Sequence, residues 1–566
     1  MNKLKAVLKK DMSPLAFWVL VACVFAAKLV LAQHQQVYVW VGGAPIDDEL
    51  MYEAARSITQ GNWLGEYNYL TLSKQMFFAV WLALCNAVGL PYLMAGQLLL
   101  CCAALAAAFA FAPVLQRNKS RFLLFAALAA NPAAAASFTL RVYRDNIFPS
   151  ECLLFFAGMI GCALRYKKGL RSYWLWLVLA GLGFGSAYVT REDGIWLAPF
   201  ALVATVITAV YILREKGLDK KLARCAALAV PYALVTVFVL GMSAMNYKHY
   251  GVFTTSDFSS GSFAAAYGAM TRIEHENERN LVPVPEDVRM KLYEAVPELQ
   301  PLKKWLEENP HIQNGYMNSK LKDYAAGSFY WVLRRAAQEE GIYADAQQAA
   351  AYWQSVADGI NKAIDSGVLT AAAGPRSSTT PIIRGYHVLP TIQEAFYSFY
   401  YCATFQDCSC YFKEQLSFAT PEQAMEIAAY VGSVPTYSAV PYTDIPYHTP
   451  RQLQIYTLFN MIQMVYSVAV PILLVWAVVR LVRDAVQMLR RKTADGLLVW
   501  LILLGLVAMA LLRCAMIAFM EVAAFNIGTY VMYLSTVHPL LILFAGVGVM
   551  QGRWQVETCW ANRTIR

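Results

Sequence analysis

The sequence has few charged residues, and this scarcity decides its class. Only 15% of the 566 residues are charged, whereas 58% are hydrophobic. Several apolar runs approach the roughly 20 residues that a helix needs to cross a bilayer core of about 30 Å. A soluble globular protein is therefore excluded, and the sequence predicts an all-α polytopic membrane protein.

The sequence also lacks the patterns that mark metal sites and secreted soluble proteins. Its twelve cysteines form no Cys-x-x-Cys pair, and its seven histidines show no metal-ligand spacing. Cys402, Cys408 and Cys410 fall in a long polar region. A disulfide bond between Cys402 and Cys408 is one of two open alternatives, the other being free thiols. No cleavable signal peptide is evident, because MNKLKAVLKKD leads into a run long enough to span the membrane.

A nucleic-acid partner is excluded in spite of the net charge of +9. The basic residues lie in short segments between apolar runs, as the positive-inside rule predicts for cytoplasmic loops. We also find no internal repeat of the kind that many transporters carry. The excess of positive charge therefore indicates topology and not a polyanionic partner.

The positive-inside rule predicts about ten transmembrane helices in the plasma (cytoplasmic) membrane. Both termini are predicted to lie in the cytoplasm. A short apolar run at 75–90 is interpreted as a helix at the membrane interface. The predicted spans are 13–32, 92–115, 122–138, 152–166, 173–190, 195–213, 225–245, 453–482, 497–520 and 530–550.

Three domains follow from these spans. Residues 1–245 form a transmembrane module with a long first external loop at 33–91. Residues 246–451 form an extracytoplasmic, mostly helical domain, in which Trp353, Val356 and Ile360 recur at helical spacing. Residues 452–566 form a three-helix module with a cytoplasmic tail.

Three acidic motifs are predicted to meet at the outer face of the membrane. Carboxylates at such a boundary can take a proton from an acceptor hydroxyl or bind a divalent cation through hard oxygens. They can equally be solvated loop residues. The motifs are Asp47-Asp48-Glu49 in APIDDELMYEAAR, Asp145 with Glu151 in RVYRDNIFPSE, and Glu192-Asp193.

Asp48 and Asp145 are the strongest acidic candidates. Both are embedded in aromatic and apolar sequence and not in polar loop, which favours a functional role. If a divalent cation such as Mg²⁺ or Mn²⁺ is bound, these two carboxylates are the predicted ligands.

Each acidic motif has basic neighbours, which a phosphate group at the bilayer surface would explain, since guanidinium groups match phosphate oxygens. A charge within a span is a functional candidate because it is expensive to bury there. Local ion pairing, as of Arg191 with Asp193 or Arg513 with Glu521, is the alternative. The candidate phosphate-binding residues are Lys74, Arg141, Arg144, Arg191 and Arg513.

The order of these motifs resembles the GT-C superfamily of membrane glycosyltransferases, which includes protein mannosyltransferases and aminoarabinose transferases. APIDDELMYEAAR is followed by WLGEYNYLTLSKQMFFAVWLALCNAVGLP, similar to the family's lysine-bearing segment and interfacial helix. RVYRDNIFPSE and the glycine-rich AGLGFGSAYVTREDGIWLAP follow in the family's order. The resemblance covers about residues 13–213. No WWD-type motif is present, which argues against an oligosaccharyltransferase.

The resemblance implies an inverting hexosyl- or pentosyltransferase that uses a polyprenyl-phosphate or pyrophosphate sugar donor. Its acceptor would be an extracytoplasmic glycolipid, wall polymer or protein. Asp48, or else Asp47, matches the family's general base, and Asp145 matches the acid that assists or binds metal. Lys74, Arg144 and Arg513 would lie near the lipid phosphate.

Two other functions remain open on the sequence. One is a transporter or flippase for a lipid-linked glycan, whose path the same acids would line. The other is a polymerase or ligase of lipid-linked glycans. The absence of inverted repeats and the placement of charges at one face favour the transferase.

Overall fold

A computed structural model describes residues 11–41, 45–258, 260–274, 279–372, 381–410, 417–438, 443 and 445–551. The N-terminal lysines, Ala44 of the first acidic motif and the predicted cytoplasmic tail lie outside the described residues. The described chain is helical apart from one two-stranded antiparallel sheet, Met317–Asn318 with Asp323–Tyr324.

The regular secondary structure described in the first half of the chain is helical, and this half contains most of the candidate membrane spans. Helix α1 begins where the Ser13 hydroxyl accepts a hydrogen bond from the Ala16 amide at 3.2 Å, with Pro14 at the first helical position. The helices are α1 Pro14–Gln33, α2 Leu50–Thr59, α3 Phe77–Ala87, α4 Tyr92–Ala110, α5 Asn118–Ala129, α6 Ser137–Leu140, α7 Phe148–Ala163, α8 Leu170–Thr190, α9 Ala198–Arg214, α10 Lys221–Ala227 and α11 Val230–Tyr250.

The second half contains a group of shorter helices followed by the last spans. Helix α20 is the longest, with 42 residues, and begins with a capping box between Thr449 and Gln452. The helices are α12 Ser262–Thr271, α13 Glu286–Ala295, α14 Gln300–Leu306, α15 Pro310–Tyr316, α16 Ala326–Glu339, α17 Ala346–Asp365, α18 Gly385–Ala403, α19 Pro421–Val431, α20 Pro450–Arg491, α21 Leu497–Met520, α22 Val531–Leu534 and α23 Val537–Met550.

The prediction of a helical polytopic membrane protein is confirmed. Among the described residues, eight helices are long and apolar enough to span a membrane, or nine if the bent pair Asn118–Ala129 and Pro132–Leu140 is one span. The tenth predicted span, 530–550, contains an apolar helix of only 14 residues, α23. The predicted interfacial segment forms the short helix α3, which has 11 residues.

Helices α7 and α8 approach each other closely through glycine. A Cβ atom on Gly183 would lie 2.5 Å from the Phe155 amide nitrogen and 2.6 Å from the Glu151 carbonyl oxygen. A Cβ atom on Gly158 would lie 2.3 Å from the Ala180 nitrogen. The glycine-rich run of α8 therefore allows the contact that holds the C-terminal end of α8 beside α7.

The predicted 246–451 domain divides between two hydrophobic cores. Helices α12 to α17 enclose a core of their own, centred on side chains such as Phe263, Trp353 and Val356. Helix α18 and the residues after it pack instead on the core of the membrane module, through Cys402 and Phe405.

The start of the loop at 33–91, which the sequence predicts to be external, pairs with the end of the polar region. The Val37 amide donates to the Val434 carbonyl at 2.9 Å, and the Thr436 amide donates to the Val37 carbonyl at 3.0 Å. These bonds fix the loop that carries the first acidic motif. The described cysteines, Cys402, Cys408 and Cys410 included, are free thiols, so the bond between Cys402 and Cys408 is not formed.

Candidate functional site

A cavity of about 660 Å³ lies between the membrane module and the core formed by α12 to α17. One wall is charged, one is aromatic and one is aliphatic. The charged wall comes from three segments of the first half of the chain: the turn at 45–49, the loop at 60–76 and the residues around the ends of α7 and α8. Its polar residues are Asp47, Lys74, Tyr143, Arg144, Arg191, Glu192 and Asp193.

Asp47 is the carboxylate of the first motif that faces the cavity. It lies in a π-helical turn, Pro45–Glu49, and its side chain is 30% exposed. Lys74 donates to its Oδ1 atom, and the Tyr143 hydroxyl donates to the same atom at 2.8 Å. Lys74 also lies over the rings of Tyr143 and Trp331, with Nζ 5.7 and 5.4 Å from the ring centroids.

Asp48 points away from the cavity although it is the next residue. Its side chain is only 2% exposed. The Arg141 Nε atom donates to both of its oxygens, at 2.8 and 2.9 Å, and an Arg141 terminal nitrogen donates to Oδ2. Asp48 does not line the cavity. The structure therefore places Asp48 as the buried partner of Arg141.

The second and third motifs cross-pair, so that each arginine bonds the acid of the other motif. The Arg144 guanidinium donates to both carboxylate oxygens of Glu192, at 2.9 and 2.8 Å. The Arg191 guanidinium donates to Asp145 at 2.5 Å. These pairs tie the end of α8 to the turn before α7.

Arg513 joins this network from α21 and is fully buried. It forms an ion pair with Asp193 at 2.7 Å, and its Nε atom donates to the Tyr533 carbonyl at 3.1 Å. The alternative partner Glu521 instead accepts from the Gly528 amide at 2.6 Å. The alternative pairing of Arg191 with Asp193 is present, at 3.1 Å.

Two candidate acids stay outside the cavity wall. Glu49 ends the π-helical turn and does not line the cavity. Glu151 is buried in α7 and accepts a hydrogen bond from the Thr190 hydroxyl at 3.1 Å. Neither carboxylate reaches the charged wall, so both are separate from the network.

Burial and neighbouring charge move the pKa values of the loop residues in opposite directions. Burial alone would raise the pKa of Asp47, but Lys74, Tyr143 and Arg141 together hold it well below its ordinary value. Burial raises the pKa of Asp48, which the Arg141 bonds only partly oppose. Burial lowers the pKa of Lys74, and Asp47 opposes that shift.

The network of ion pairs described above has equal numbers of positive and negative side chains. Its five cations are Lys74, Arg141, Arg144, Arg191 and Arg513, and its five carboxylates are Asp47, Asp48, Asp145, Glu192 and Asp193. Isolated charges at membrane depth are costly, and charges that persist there pair with one another or line a functional path. Such a set of fixed charges can accept an anion by exchanging a carboxylate partner for phosphate oxygens. The arrangement is thus suited to binding a phosphate group beside a carboxylate base.

The same pairing does not suit a divalent cation. Among the described residues, no group of three His, Cys, Asp or Glu side chains is placed to hold a metal ion. Asp48 and Asp145, the predicted ligands, are engaged by Arg141 and Arg191. Both carboxylates would have to leave a guanidinium group before they could bind a metal.

The remaining walls contain residues that sequence reasoning missed. The core of α12 to α17 contributes aromatic and basic side chains to these walls. Tyr143, on the charged wall, was also missed, because the sequence pointed only to the charged residues of its motif. A Tyr between two arginines in RVYRD was the available signal. The additional wall residues include Tyr267, Arg279, Tyr330, Trp331, Arg384, His387, Met516, Ile517, Phe519, Met520, Phe525 and Tyr533.

No protein-family model matches the chain, and no curated protein matches it in sequence. Two solved structures are similar to it: ArnT from Cupriavidus metallidurans in the apo state, with a TM-score of 0.28, and the same protein bound to undecaprenyl phosphate, with a TM-score of 0.29. Each is 15% identical and covers 94% of this chain and 78% of that chain. A similarity at this identity and TM-score carries no argument about activity.

Proposed function

We propose that the protein is a GT-C-type glycosyltransferase that moves one sugar, with inversion, from a polyprenyl-phosphate or pyrophosphate donor to an acceptor hydroxyl. The acceptor would be an extracytoplasmic glycolipid, wall polymer or protein. One observation carries this proposal: Asp47 faces a large cavity at the membrane boundary beside Lys74 and a row of buried arginines. The carboxylate and the cations supply a base and an anion site within one cavity.

The donor phosphate is proposed to bind at the charged wall, beside Lys74, Arg144 and Arg191. Lys74 is held by aromatic rings as well as by Asp47, so it can exchange its carboxylate partner for a phosphate oxygen without moving far. The aliphatic wall from the end of α21, with Met516 and Met520, offers an apolar surface to a polyprenyl chain.

Asp47 is the proposed general base, in preference to Asp48 and Asp145. A base must reach the proton that it removes, and of these three carboxylates only Asp47 lines the cavity. Its depressed pKa makes it a weak base while Lys74 bonds it. When Lys74 turns to the donor phosphate, the Asp47 carboxylate loses that stabilisation and its pKa rises, so donor binding activates the base.

The proposed reaction is a direct displacement at the anomeric carbon. The acceptor oxygen forms a bond to that carbon while its proton passes to the Asp47 carboxylate. The bond between the carbon and the phosphate oxygen breaks, and the polyprenyl phosphate leaves with the electron pair. Cations aimed at the leaving oxygen stabilise its growing negative charge and lower the barrier.

The finer topology is part of the same proposal. The short helix α23, with α22 before it, is proposed as the tenth span, since a locally thinned bilayer or tilted neighbours can accommodate a short helix. Both termini are proposed to face the cytoplasm, which places the cavity on the extracytoplasmic side of the plasma membrane.

The donor site is tested by binding. Purified protein in nanodiscs is titrated with undecaprenyl phosphate, and the wild type is compared with Lys74→Met and with Lys362→Met, an exposed lysine of α17. We expect at least tenfold weaker binding for Lys74→Met and unchanged binding for Lys362→Met. Equal binding by all three proteins would contradict the donor site.

A second measurement separates the transferase from a transporter and from a polymerase. The protein is reconstituted in vesicles with a radiolabelled polyprenyl-phosphate sugar and an envelope extract as acceptor. Addition of one sugar per acceptor supports the proposal. Movement of uncleaved donor across the vesicle membrane would favour the transporter, and products with chains of several sugars would favour the polymerase or ligase.

A further inference from the structure

The segment from Gly385 to Cys410 leaves the polar region and enters the membrane module. Phe405, in the turn after α18, is fully buried. Its ring centroid lies 5.3 Å from that of Tyr466 in α20 and 4.9 Å from that of His538 in α23. The Gln463 side chain donates to the Phe405 carbonyl at 2.8 Å. Phe405 is therefore enclosed by helices that are membrane spans or pack among them.

The depth of this turn in the membrane can be inferred from its neighbours on α20, a candidate membrane span. Met464, Val465 and Val468 flank Tyr466 and are 59%, 63% and 63% exposed. Apolar side chains exposed on a span face lipid. Phe405 thus lies at the depth of lipid-facing residues and not above the membrane.

The chain then returns toward the cavity side. The Cys410 amide donates to the Asn460 side chain at 2.9 Å, about two turns nearer the start of α20 than Tyr466. Further on, the Phe418 amide donates to the Val39 carbonyl at 2.8 Å, in the loop at 33–91.

Irregular backbone is tolerated at membrane depth only where protein surrounds it. In this stretch Phe405, Cys408 and Cys410 are buried, whereas Gln406 and Asp407 are exposed. The turn must therefore be shallow enough for these two polar side chains to reach the lipid headgroups.

The exposed face of α18 is mostly apolar, with Gln393 as a polar side chain on it. Its exposed large side chains are Val388, Leu389, Ile392, Phe396, Tyr397 and Tyr400.

His387, Glu394 and Ser398 of α18 turn toward the protein, whereas Gln393 is exposed. His387 and Ser398 are buried, and Glu394 accepts from the Thr529 hydroxyl at 2.6 Å. None of the exposed residues of the helix is charged. These inward polar groups lower the average hydropathy of the segment without reaching its outer surface.

We propose that Gly385–Cys410 is a re-entrant element that dips into the cavity-side half of the bilayer, with the exposed face of α18 in contact with lipid. Tyrosine is among the side chains that favour the membrane interface, and phenylalanine, valine, leucine and isoleucine suit the apolar part of the bilayer. Because His387 at the start of α18 also lines the cavity, the element forms a boundary between cavity and lipid. The proposal rests on the membrane fold alone and not on the proposed activity.

The test uses spin-label accessibility in the full chain reconstituted in lipid vesicles. Cys23, Cys102 and Cys225, which are not buried, are first replaced by serine, together with Cys559, which lies outside the described residues. Nitroxide is then attached at Phe396→Cys, and its relaxation is measured with oxygen, which concentrates in lipid, and with a water-soluble nickel chelate. Val475→Cys on α20 serves as the lipid control, and Ala351→Cys on α17 serves as the water control.

We expect the label at Phe396 to respond as the label at Val475 does, with high oxygen and low nickel accessibility. A response like that at Ala351 would overturn the proposal, because the helix would then lie in water. Low accessibility to both reagents would also overturn it, because another protein surface would then cover the helix. Thermal unfolding of each variant shows whether the substitution preserves the fold.

Discussion

At the scale of single residues, Tyr143 connects the two halves of the charged wall. Its hydroxyl donates to Asp47 and accepts from Lys74 at 3.2 Å. Its ring lies beneath the guanidinium groups of Arg141 and Arg144, with centroid distances of 4.9 and 5.2 Å. One neutral side chain therefore positions both the proposed base and the cations that flank it.

Replacing Tyr143 with phenylalanine should shift the pH dependence of sugar transfer. The hydroxyl stabilises the charged form of Asp47 and so helps to hold its pKa low. Without that hydrogen bond, the pKa rises, and the base becomes protonated at a higher pH. The acidic limb of the rate profile should therefore move to higher pH, as measured by initial rates across a pH series.

Tyr52→Phe is the matched control for this prediction. The Tyr52 hydroxyl is buried without a hydrogen-bond partner among the described residues, so its removal should leave the profile unchanged. An acidic limb that stays in place in Tyr143→Phe would show that this bond does not tune the base.

The sequence identified the charged residues of the wall but missed Tyr143, and of the pairings it anticipated only that of Arg191 with Asp193. Charged residues at membrane boundaries are expensive, so the candidates could be identified one by one. The partner of Asp48 is Arg141, 93 positions away, and only the packed fold brings them together. The sequence also could not separate Asp47 from Asp48, because the choice depends on which way each side chain leaves the π-helical turn.

At the scale of helices, the contact between α7 and α8 positions the charged residues at the ends of these two helices. Arg191 directly follows α8, and Asp145 precedes α7 by three residues. Their ion pair therefore depends on how closely the two helices approach. Glycine at the contact sets that distance.

Gly183→Ala should destabilise the protein and weaken the site together. The added Cβ atom would lie within 2.6 Å of the α7 backbone at Phe155 and Glu151, which forces the helices apart. Overpacking of this kind costs about 1–3 kcal/mol. We expect a lower melting temperature and weaker undecaprenyl phosphate binding.

Gly241→Ala in α11 provides the comparison. No atom lies within 4 Å of a Cβ placed there, and alanine favours a helix more than glycine does. That variant should melt at the wild-type temperature or above. A normal melting temperature for Gly183→Ala would mean that α7 and α8 can separate without cost.

Long apolar helices were predictable because length and composition alone define them. Helix α18 was not, since His387, Glu394 and its tyrosines lower the average hydropathy of a segment whose outer face is mostly apolar. The sequence placed it within an outer domain. Only the three-dimensional packing shows that His387, Glu394 and Ser398 point inward.

At the scale of the whole molecule, Arg334 joins the core of α12 to α17 to the loop at 60–76. It is fully buried and donates to the Tyr69 carbonyl at 2.6 Å. It also pairs with Asp257 at 3.3 Å. Because Lys74 lies in the same loop as Tyr69, this joint helps to hold the charged wall in place.

Arg334→Met should weaken donor binding without any contact to the donor. The change frees the Tyr69 segment and leaves the partly exposed Asp257 carboxylate without its partner, which costs less than the roughly 3–5 kcal/mol typical of a fully buried pair. We expect weaker undecaprenyl phosphate binding together with a lower melting temperature. If binding and melting temperature both match the wild type, the two parts of the chain position the wall independently.

The position of the domain core was only partly predictable. Helical spacing of Trp353, Val356 and Ile360 identified α17, and all three are buried in that core. The bonds from Arg334 to the loop cross more than 260 residues of sequence, and no local pattern encodes them.

The most direct test of the account is sugar transfer by wild type, Asp47→Asn and Asp48→Asn. Each purified protein is reconstituted with radiolabelled polyprenyl-phosphate hexoses and pentoses and an envelope extract, and undecaprenyl phosphate binding is measured in parallel. The account predicts that Asp47→Asn keeps donor binding but transfers about 10²-fold more slowly or worse, as expected for loss of a general base. Transfer at the wild-type rate by Asp47→Asn, with loss confined to Asp48→Asn at an unchanged melting temperature, would contradict it.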